Sequence, residues 1–203
     1  MSKVSSSPNY QRLHIKIPME RIGVLIGPRG REKRRLEAVF KVLLSIDSES
    51  GAVEIALSPD AEDVTVLFTV QSIVNAIGRG FSPRRAERLA EEGYILLVID
   101  LTEYVGTSKN AIARVKGRII GRNGRSRALL EALTESLISV YGRTVALIGR
   151  VEDLDVAKEA VLMLVKGAFH KTVWNFLYNF RRKIKKERSE LWEKIPEPRA
   201  ELR

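Results

Sequence analysis

A glycine turn that occurs twice constrains this chain more than any other feature. Arg118-Ile119-Ile120-Gly121-Arg122-Asn123-Gly124-Arg125 holds a Gly-x-x-Gly turn with an apolar pair before it and cations at both ends. Leu25-Ile26-Gly27-Pro28-Arg29-Gly30-Arg31 stands 94 residues upstream. The match runs ungapped from Gly23 over Gly117 to Ile46 over Val140. Its identities include Leu36-Glu37-Ala38 over Leu130-Glu131-Ala132, Leu43 over Leu137 and Ser45 over Ser139. Two copies of one supersecondary unit predict a tandem pair of small domains, whereas a solenoid needs three or more shorter repeats. A chain of 203 residues has room for two units of about 80 to 95 residues, each with its own core.

Glycine admits positive φ and lets the backbone approach a ligand, so such a turn between two helices can press its amides onto a sugar-phosphate chain. The N-terminus of the following helix adds free N–H groups and a positive dipole end. Short glycine turns are common and most are only turns; charge separates the readings. Residues 107–150 hold nine Lys or Arg against two Glu, which favours a phosphate contact at the second turn. Residues 21–41 are also basic, with seven cations against two acids. Pro28, however, lacks an N–H and removes one phosphate donor, and residues 42–63 carry six acids and no base. That acidic edge repels RNA and suits a basic protein partner, so the first turn is either an RNA contact or a protein contact.

The net charge of +10 and pI near 10 imply a polyanionic partner, for which RNA, DNA and an anionic membrane surface all qualify. With 44% hydrophobic against 30% charged residues the composition is that of a folded protein. The absence of cysteine excludes disulfides, thiolate metal sites and cysteine nucleophiles together. His14 and His170 are the only histidines and read as surface or capping residues, so no metal site is expected. The acid clusters Asp60, Glu62, Asp63 and Glu152, Asp153, Asp155 fall at expected helix starts, where carboxylates favour the dipole. Gly78-Arg79-Gly80 lacks the further glycine of a dinucleotide fingerprint, and no Walker lysine motif occurs. Nothing calls for a cofactor or a catalytic residue. No apolar run reaches the roughly 18 to 20 residues of a membrane span, and Met1 to Pro8 lacks a signal-peptide core, so the expected compartment is the cytoplasm.

In chain order, residues 1–8 read as a flexible N-terminus and 9–80 as the first unit. Leu13, Ile15 and Ile17 alternate with Arg12, His14 and Lys16 in a half-buried strand, and Pro18 opens a short helix to the glycine turn. A helix is expected from Arg31 to Phe40, strands at 42–47 and 52–57, and a helix over 59–77 capped by Ser58-Pro59. Residues 81–93 read as a linker helix and 94–170 as the second unit. Its opening run Ile95 to Ile99 and its last strand, Thr144 to Ile148, are apolar throughout, which predicts burial on both faces and hence a cover over the back of this sheet. A C-terminal helix over 171–195, with Val173, Leu177, Phe180, Ile184, Leu191 and Ile195 in one stripe, is the expected brace and the cover for either this sheet or the surface between the domains; 196–203 is a tail. Trp174, Phe176, Tyr178 and Phe180 could stack bases, but their helical spacing favours core packing. Arg181, Arg182 and Lys185 form either a secondary RNA contact or a solvated helix face.

The order strand, helix, glycine turn, helix, strand, strand, helix resembles the type I KH module, which clamps about four nucleotides of single-stranded RNA or DNA. That resemblance implies an α+β fold of two tandem type I KH domains, each β-α-α-β-β-α with a three-stranded antiparallel sheet backed by helices, plus the C-terminal helix. It implies that Gly121, Arg122, Asn123 and Gly124, with Lys116, Arg118, Arg125 and Arg127, hold the sugar-phosphate chain while Ile119, Ile120, Ile138 and Val140 line a base groove. In the first unit the corresponding residues are Gly27, Pro28, Arg29, Gly30, Arg31, Lys33 and Arg34, with Ile22, Leu25, Ile26, Leu44 and Ile46. The paired modules, the stretch Ala111 to Gly124 and the Trp174-Asn175-Phe176-Leu177-Tyr178-Asn179-Phe180 helix resemble the archaeal member of the Dim-two, or Partner-of-Nob, family of small-subunit ribosome assembly factors. The resemblance covers about residues 8–195 and implies a non-enzymatic protein bound near the 3′ end of small-subunit (16S-type) ribosomal RNA. Implied partners are the endonuclease that matures that end and the alpha subunit of an initiation factor. Two other classes stay open on the residues alone. One is a KH-fold protein-interaction scaffold with weak or general RNA binding; the other is a nuclease or RNA-modifying enzyme, which needs clustered acids or histidines in a basic cleft, and the sequence offers no such cluster.

Overall fold

The computed structural model describes residues 12–193 apart from residue 62. The expected lead-in at 1–8, the tail at 196–203, Glu62 and Ile195 lie outside the described residues. The first unit runs β1 (Arg12–Lys16), α1 (Met19–Ile26), the glycine turn, α2 (Arg31–Phe40), β2 (Val42–Ile46), β3 (Ala52–Leu57) and α3 (Val66–Gly78). A connector follows, made of α4 (Pro83–Ala86) and a 3-10 turn (Glu87–Ala90). The second unit runs β4 (Tyr94–Asp100), α5 (Thr102–Val105), α6 (Lys109–Ile120), the second glycine turn, α7 (Arg125–Thr134), β5 (Leu137–Tyr141), β6 (Thr144–Arg150) and α8 (Val151–Val165). Last comes α9 (His170–Glu193). Each sheet is antiparallel with the later strand in the middle, in the orders β1-β3-β2 and β4-β6-β5.

Alternation sets the first sheet. Arg12, His14 and Lys16 on β1 and Leu43 and Ser45 on β2 face out, while Val42, Leu44, Val53 and Ile55 lie under the helices with Ile22, Leu25 and Leu36. The helix expected from Pro59 begins only at Val66. Ser58 Oγ bonds Asp60, and Asp63 accepts from both the amide and the hydroxyl of Thr65, so short polar side chains satisfy the backbone in turns and delay the helix. The Thr65 hydroxyl also holds the Asp63 carboxyl below its ordinary pKa. The linker helix likewise shrinks to the four-residue α4 and its 3-10 turn.

The continuous apolar run of β4 does not lie buried on both faces. β4 is an edge strand, and Ile95 and Val98 remain 43% and 38% exposed. The strand covered on both faces is the central β6, on which Thr144 to Gly149 are all buried.

The cover over the back of the second sheet is also not the one the stripe of α9 implies. That helix packs on α8 and α7, with Val173 and Leu177 fully buried there. Ala146 and Ile148 on β6 instead join the core of the first unit, with Tyr94, Leu96 and Leu137 packed around it. The first unit and the connector, through α3, Phe81, Ala86 and Leu89, thus close the second sheet. A sheet face of this apolarity has to be removed from water, and the neighbouring unit is the larger apolar surface within reach.

Polar contacts fix the register of this interface. Ser139 Oγ donates to Arg79 O at 2.9 Å, Tyr141 donates to Glu20 at 2.7 Å, and Arg21 lies over the Tyr141 ring. The hydrogen bond to Glu20, with some burial, raises the Tyr141 phenol above its ordinary pKa and keeps it a donor. Gly80, at φ +98°, sits where a Cβ would come within 2.7 Å of both Ser139 Oγ and Tyr141 Cβ, so only glycine fits. The connector bridges both units with opposite charges, Arg85 to Glu131 and Glu87 to Arg35. Among the described residues no helix is long and apolar enough to cross a membrane.

Candidate nucleic-acid interface

The two glycine turns share one backbone. Gly27 and Gly121 both stand at φ 70°, ψ 175°, Arg29 and Asn123 at φ 53–54°, ψ 29°, and Gly30 and Gly124 at φ 73° and 75°. The first glycine of each turn is required by crowding as well as φ. A Cβ on Gly27 would fall 3.0 Å from the amide of Glu32, and one on Gly121 2.9 Å from that of Ser126. Each turn therefore folds tightly against the first turn of the next helix, and its middle residues project into solvent. Pro28, Arg29, Arg122 and Asn123 are all exposed, as are Arg31 and Arg125. The second turn is open to solvent, as a strand-gripping loop requires.

The identical Leu-Glu-Ala of the repeat has a physical cause. Leu36 and Leu130 are 1% and 0% exposed, and Glu37 and Glu131 accept from the edge-strand amides of Leu44 and Ile138 at 2.9 and 2.7 Å. The carboxylate ties the helix after the turn to the strand that borders the expected groove.

Several expected site residues are employed elsewhere. Ile119 is fully buried in the second core and Ile138 with it, as are Ile22, Leu25 and Leu44 in the first, so these hold the groove walls together and cannot touch a base. Their places on the helix and strand faces that meet beneath the sheet decide this. Ile26, Ile120, Ile46 and Val140 are half-buried and keep an edge available. Arg118 is not a free phosphate ligand: its guanidinium donates to Leu164 O at 3.2 Å and to Ala168 O, closing the C-terminus of α8. Arg21 does the same for α3 through Ile77 O and Phe81 O at 2.8 and 2.7 Å. Unsatisfied helix-end carbonyls attract a cation, and in both units an arginine from the helix before the glycine turn, α1 or α6, supplies it.

Lys116 reaches Gly142 O at 3.0 Å, Lys33 lies 3.8 Å from Glu37, and Arg34 donates back to Arg29 O and Gly30 O of its own turn. Arg127 is half-buried, with its Nε enclosed and lacking an acceptor. On α9, Arg181 is spent on Glu135 and Ala132 O, which pins that helix to α7, whereas Arg182 and Lys185 are exposed.

A cavity of about 280 Å³ opens beside the second turn, lined by Gly121, Arg122, Arg125, Ser126, His170 and Trp174. Trp174 is half-buried at this cavity as well as packed on the second core; Ser126 does not stand out in the sequence, and His170 reads there only as a surface or capping residue. The readable signal for Ser126 was its position over Glu32 in the repeat. A cavity of about 340 Å³ flanks the first turn, lined by Gly27, Pro28, Glu32 and the connector residues Ser82, Pro83 and Arg84.

Residues 95–182 match the family model for the second KH domain of PNO1 proteins, described as a eukaryotic-type KH domain, type I. A KH domain-containing protein of Methanocaldococcus jannaschii is 46% identical over 180 residues, which are 89% of this chain and 78% of that protein. Dim2p of Pyrococcus horikoshii is 43% identical with a TM-score of 0.79, covering 83% of this chain and 99% of that one. A chain in the crystal structure of the a/eIF2alpha–aDim2p–rRNA complex from the same organism is 41% identical with a TM-score of 0.82, covering 87% and 97%. The eukaryotic relatives are longer, and this chain spans about half of their length.

Proposed function

The chain belongs to the PNO1/Dim2 family of KH-domain proteins, and from that premise we propose that it is a single-stranded RNA-binding factor of small-subunit ribosome assembly. In this reading both repeat units are type I KH modules, with boundaries near 9–80 and 94–170, and α9 is an added C-terminal helix. The second module clamps a strand near the 3′ end of the small-subunit ribosomal RNA. Its backbone amides, Arg122, Asn123 and Arg125 face phosphates, Arg127 Nε gains the acceptor it lacks, and bases lie along the edges of Ile120 and Val140. The reading needs no catalytic group and no cofactor. Complexes of a relative with rRNA and a/eIF2alpha support the RNA and the initiation-factor alpha subunit as partners. The 3′-end endonuclease and the cytoplasm complete the proposal.

The observation that carries it is the exposed Arg122-Asn123 pair, held on a glycine turn directly before the N-terminus of α7. For the first module a protein contact is favoured by Pro28, which offers no amide, and by Glu32 beside the turn. Replacing Arg122 and Asn123 by Asp is expected to weaken single-stranded RNA binding at least tenfold in filter binding, with the melting temperature little changed. Every phosphate that the variant no longer neutralises should flatten the log-log salt dependence by roughly 0.7. Undiminished affinity in the double variant would remove this turn from the site.

A further inference from the structure

The cavity behind the second turn has the chemistry of a nucleotide site separate from the base groove. On one side stand the exposed guanidinium groups of Arg122 and Arg125 and the N-terminus of the ten-residue α7. Ser126, only 7% exposed, turns a hydroxyl into this corner that has no hydrogen-bond partner. A buried unpaired hydroxyl is costly unless a ligand completes it. The opposite wall is aromatic: the rings of His170 and Trp174 lie 5.8 Å apart and tilted by 46°. His170 is held by Nε2, which donates to Arg118 O at 2.9 Å. No acid lines the cavity.

The first unit shows that the fold alone does not produce this combination. In the matching cavity Pro28 replaces Arg122, Glu32 replaces Ser126, and the connector supplies Ser82, Pro83 and Arg84 where α9 supplies two rings. A carboxylate there opposes a phosphate, and no ring is present to stack a base.

Resting on the RNA-binding reading above, we propose that this cavity takes one further nucleotide of the bound strand, outside the segment gripped by the turn. Its phosphate takes the free Ser126 hydroxyl at the start of α7, with Arg122 and Arg125 bridging it to the neighbouring phosphate of the clamped segment, and its base stacks on Trp174. Stacking of this kind tolerates any base, so the subsite adds affinity and sets strand length, not sequence.

The test uses the full chain carrying Trp192→Phe, which leaves Trp174 as the sole indole of the two in the sequence. A single-stranded RNA of about four nucleotides is compared with one longer by about three. The longer RNA is expected to bind about tenfold more tightly and to quench the Trp174 emission. Trp174→Leu, and separately Ser126→Glu, which imports the residue of the first unit, should bring the ratio of the two affinities close to one. A tenfold ratio that survives both substitutions, or an indole emission unmoved by the longer RNA, overturns the subsite while leaving the clamp intact. Failure of wild type to bind either RNA overturns the RNA-binding reading itself and the subsite with it.

Discussion

The two units share a turn backbone, differing most at the last glycine, where ψ is 19° at Gly30 and 6° at Gly124, yet the side chains that surround it differ. Around Gly121 lie two free arginines, a buried serine and an aromatic wall; around Gly27 lie a proline, a glutamate, the exposed Arg29 and Arg31, and a connector with Ser82, Pro83 and Arg84. The sheets differ in the same way. The outer face of the first is open to solvent, and the same face of the second is sealed against the first unit. Glycine and the tight packing against the next helix preserve the turn, whereas the chemistry offered to a ligand depends on side chains that the turn geometry does not constrain.

Identical residues at matched positions allow this contrast to be measured. Leu43 and Leu137 are equivalent in the repeat, yet Leu43 is 53% exposed while Leu137 packs against the first core beside Ile148. Leu137→Ala is expected to cost about 2 kcal/mol and Leu43→Ala less than about 0.5 kcal/mol, read from urea midpoints at constant slope. Similar losses at the two sites would mean that the second sheet is not sealed by its neighbour in solution. The serines give the same comparison at smaller scale. Ser139 donates to Arg79 O and is 8% exposed, while Ser45 is exposed. Ser139→Ala should cost about 1 kcal/mol by leaving that carbonyl without its donor, and Ser45→Ala close to nothing. A second-unit variant that melts as wild type does would relocate the unit contact away from the Gly80 turn.

These pairs also show what the sequence could and could not reveal. Element order was legible because its signals are local: glycines at fixed spacing, alternation in β1, and helical periodicity around Leu36 and Leu130. Burial by a distant unit leaves no local mark. Leu43 and Leu137 are one letter, so nothing in either copy told which was covered. The apolar run Ile95 to Ile99 indicated a covered sheet correctly but assigned the two-faced burial to an edge strand, since composition does not tell an edge from the centre. In the site, the glycines and exposed cations were readable. The fate of Arg118 was not, because closing a helix C-terminus and meeting a phosphate call for the same guanidinium. Trp174 sits at helical spacing in an apolar stripe, which resembles a core residue until the cavity beside it is seen.

The smallest expected effect lies within the turns themselves. Arg29 and Asn123 occupy the same left-handed conformation, at φ 53° and 54°, a region that costs an ordinary L-residue about 1 to 2 kcal/mol and that asparagine enters more readily. The first unit offsets this strain from outside the turn, for Arg34 donates to the carbonyls of Arg29 and Gly30 at 2.7 and 3.3 Å. At the matching position of the second unit stands Ala128, which has nothing to donate. One copy therefore carries a residue suited to the conformation and the other a prop beneath an unsuited one. Arg29→Asn should raise stability by about 0.5 kcal/mol, because it relieves the strain while Arg34 stays in place. Asn123→Arg should lower it by at least as much, with no prop to compensate. Urea midpoints of the two single variants, measured without RNA and in about 1 M salt so that repulsion among the neighbouring arginines is screened, would separate this account from one in which both turns are equally relaxed, since that account requires both shifts to vanish.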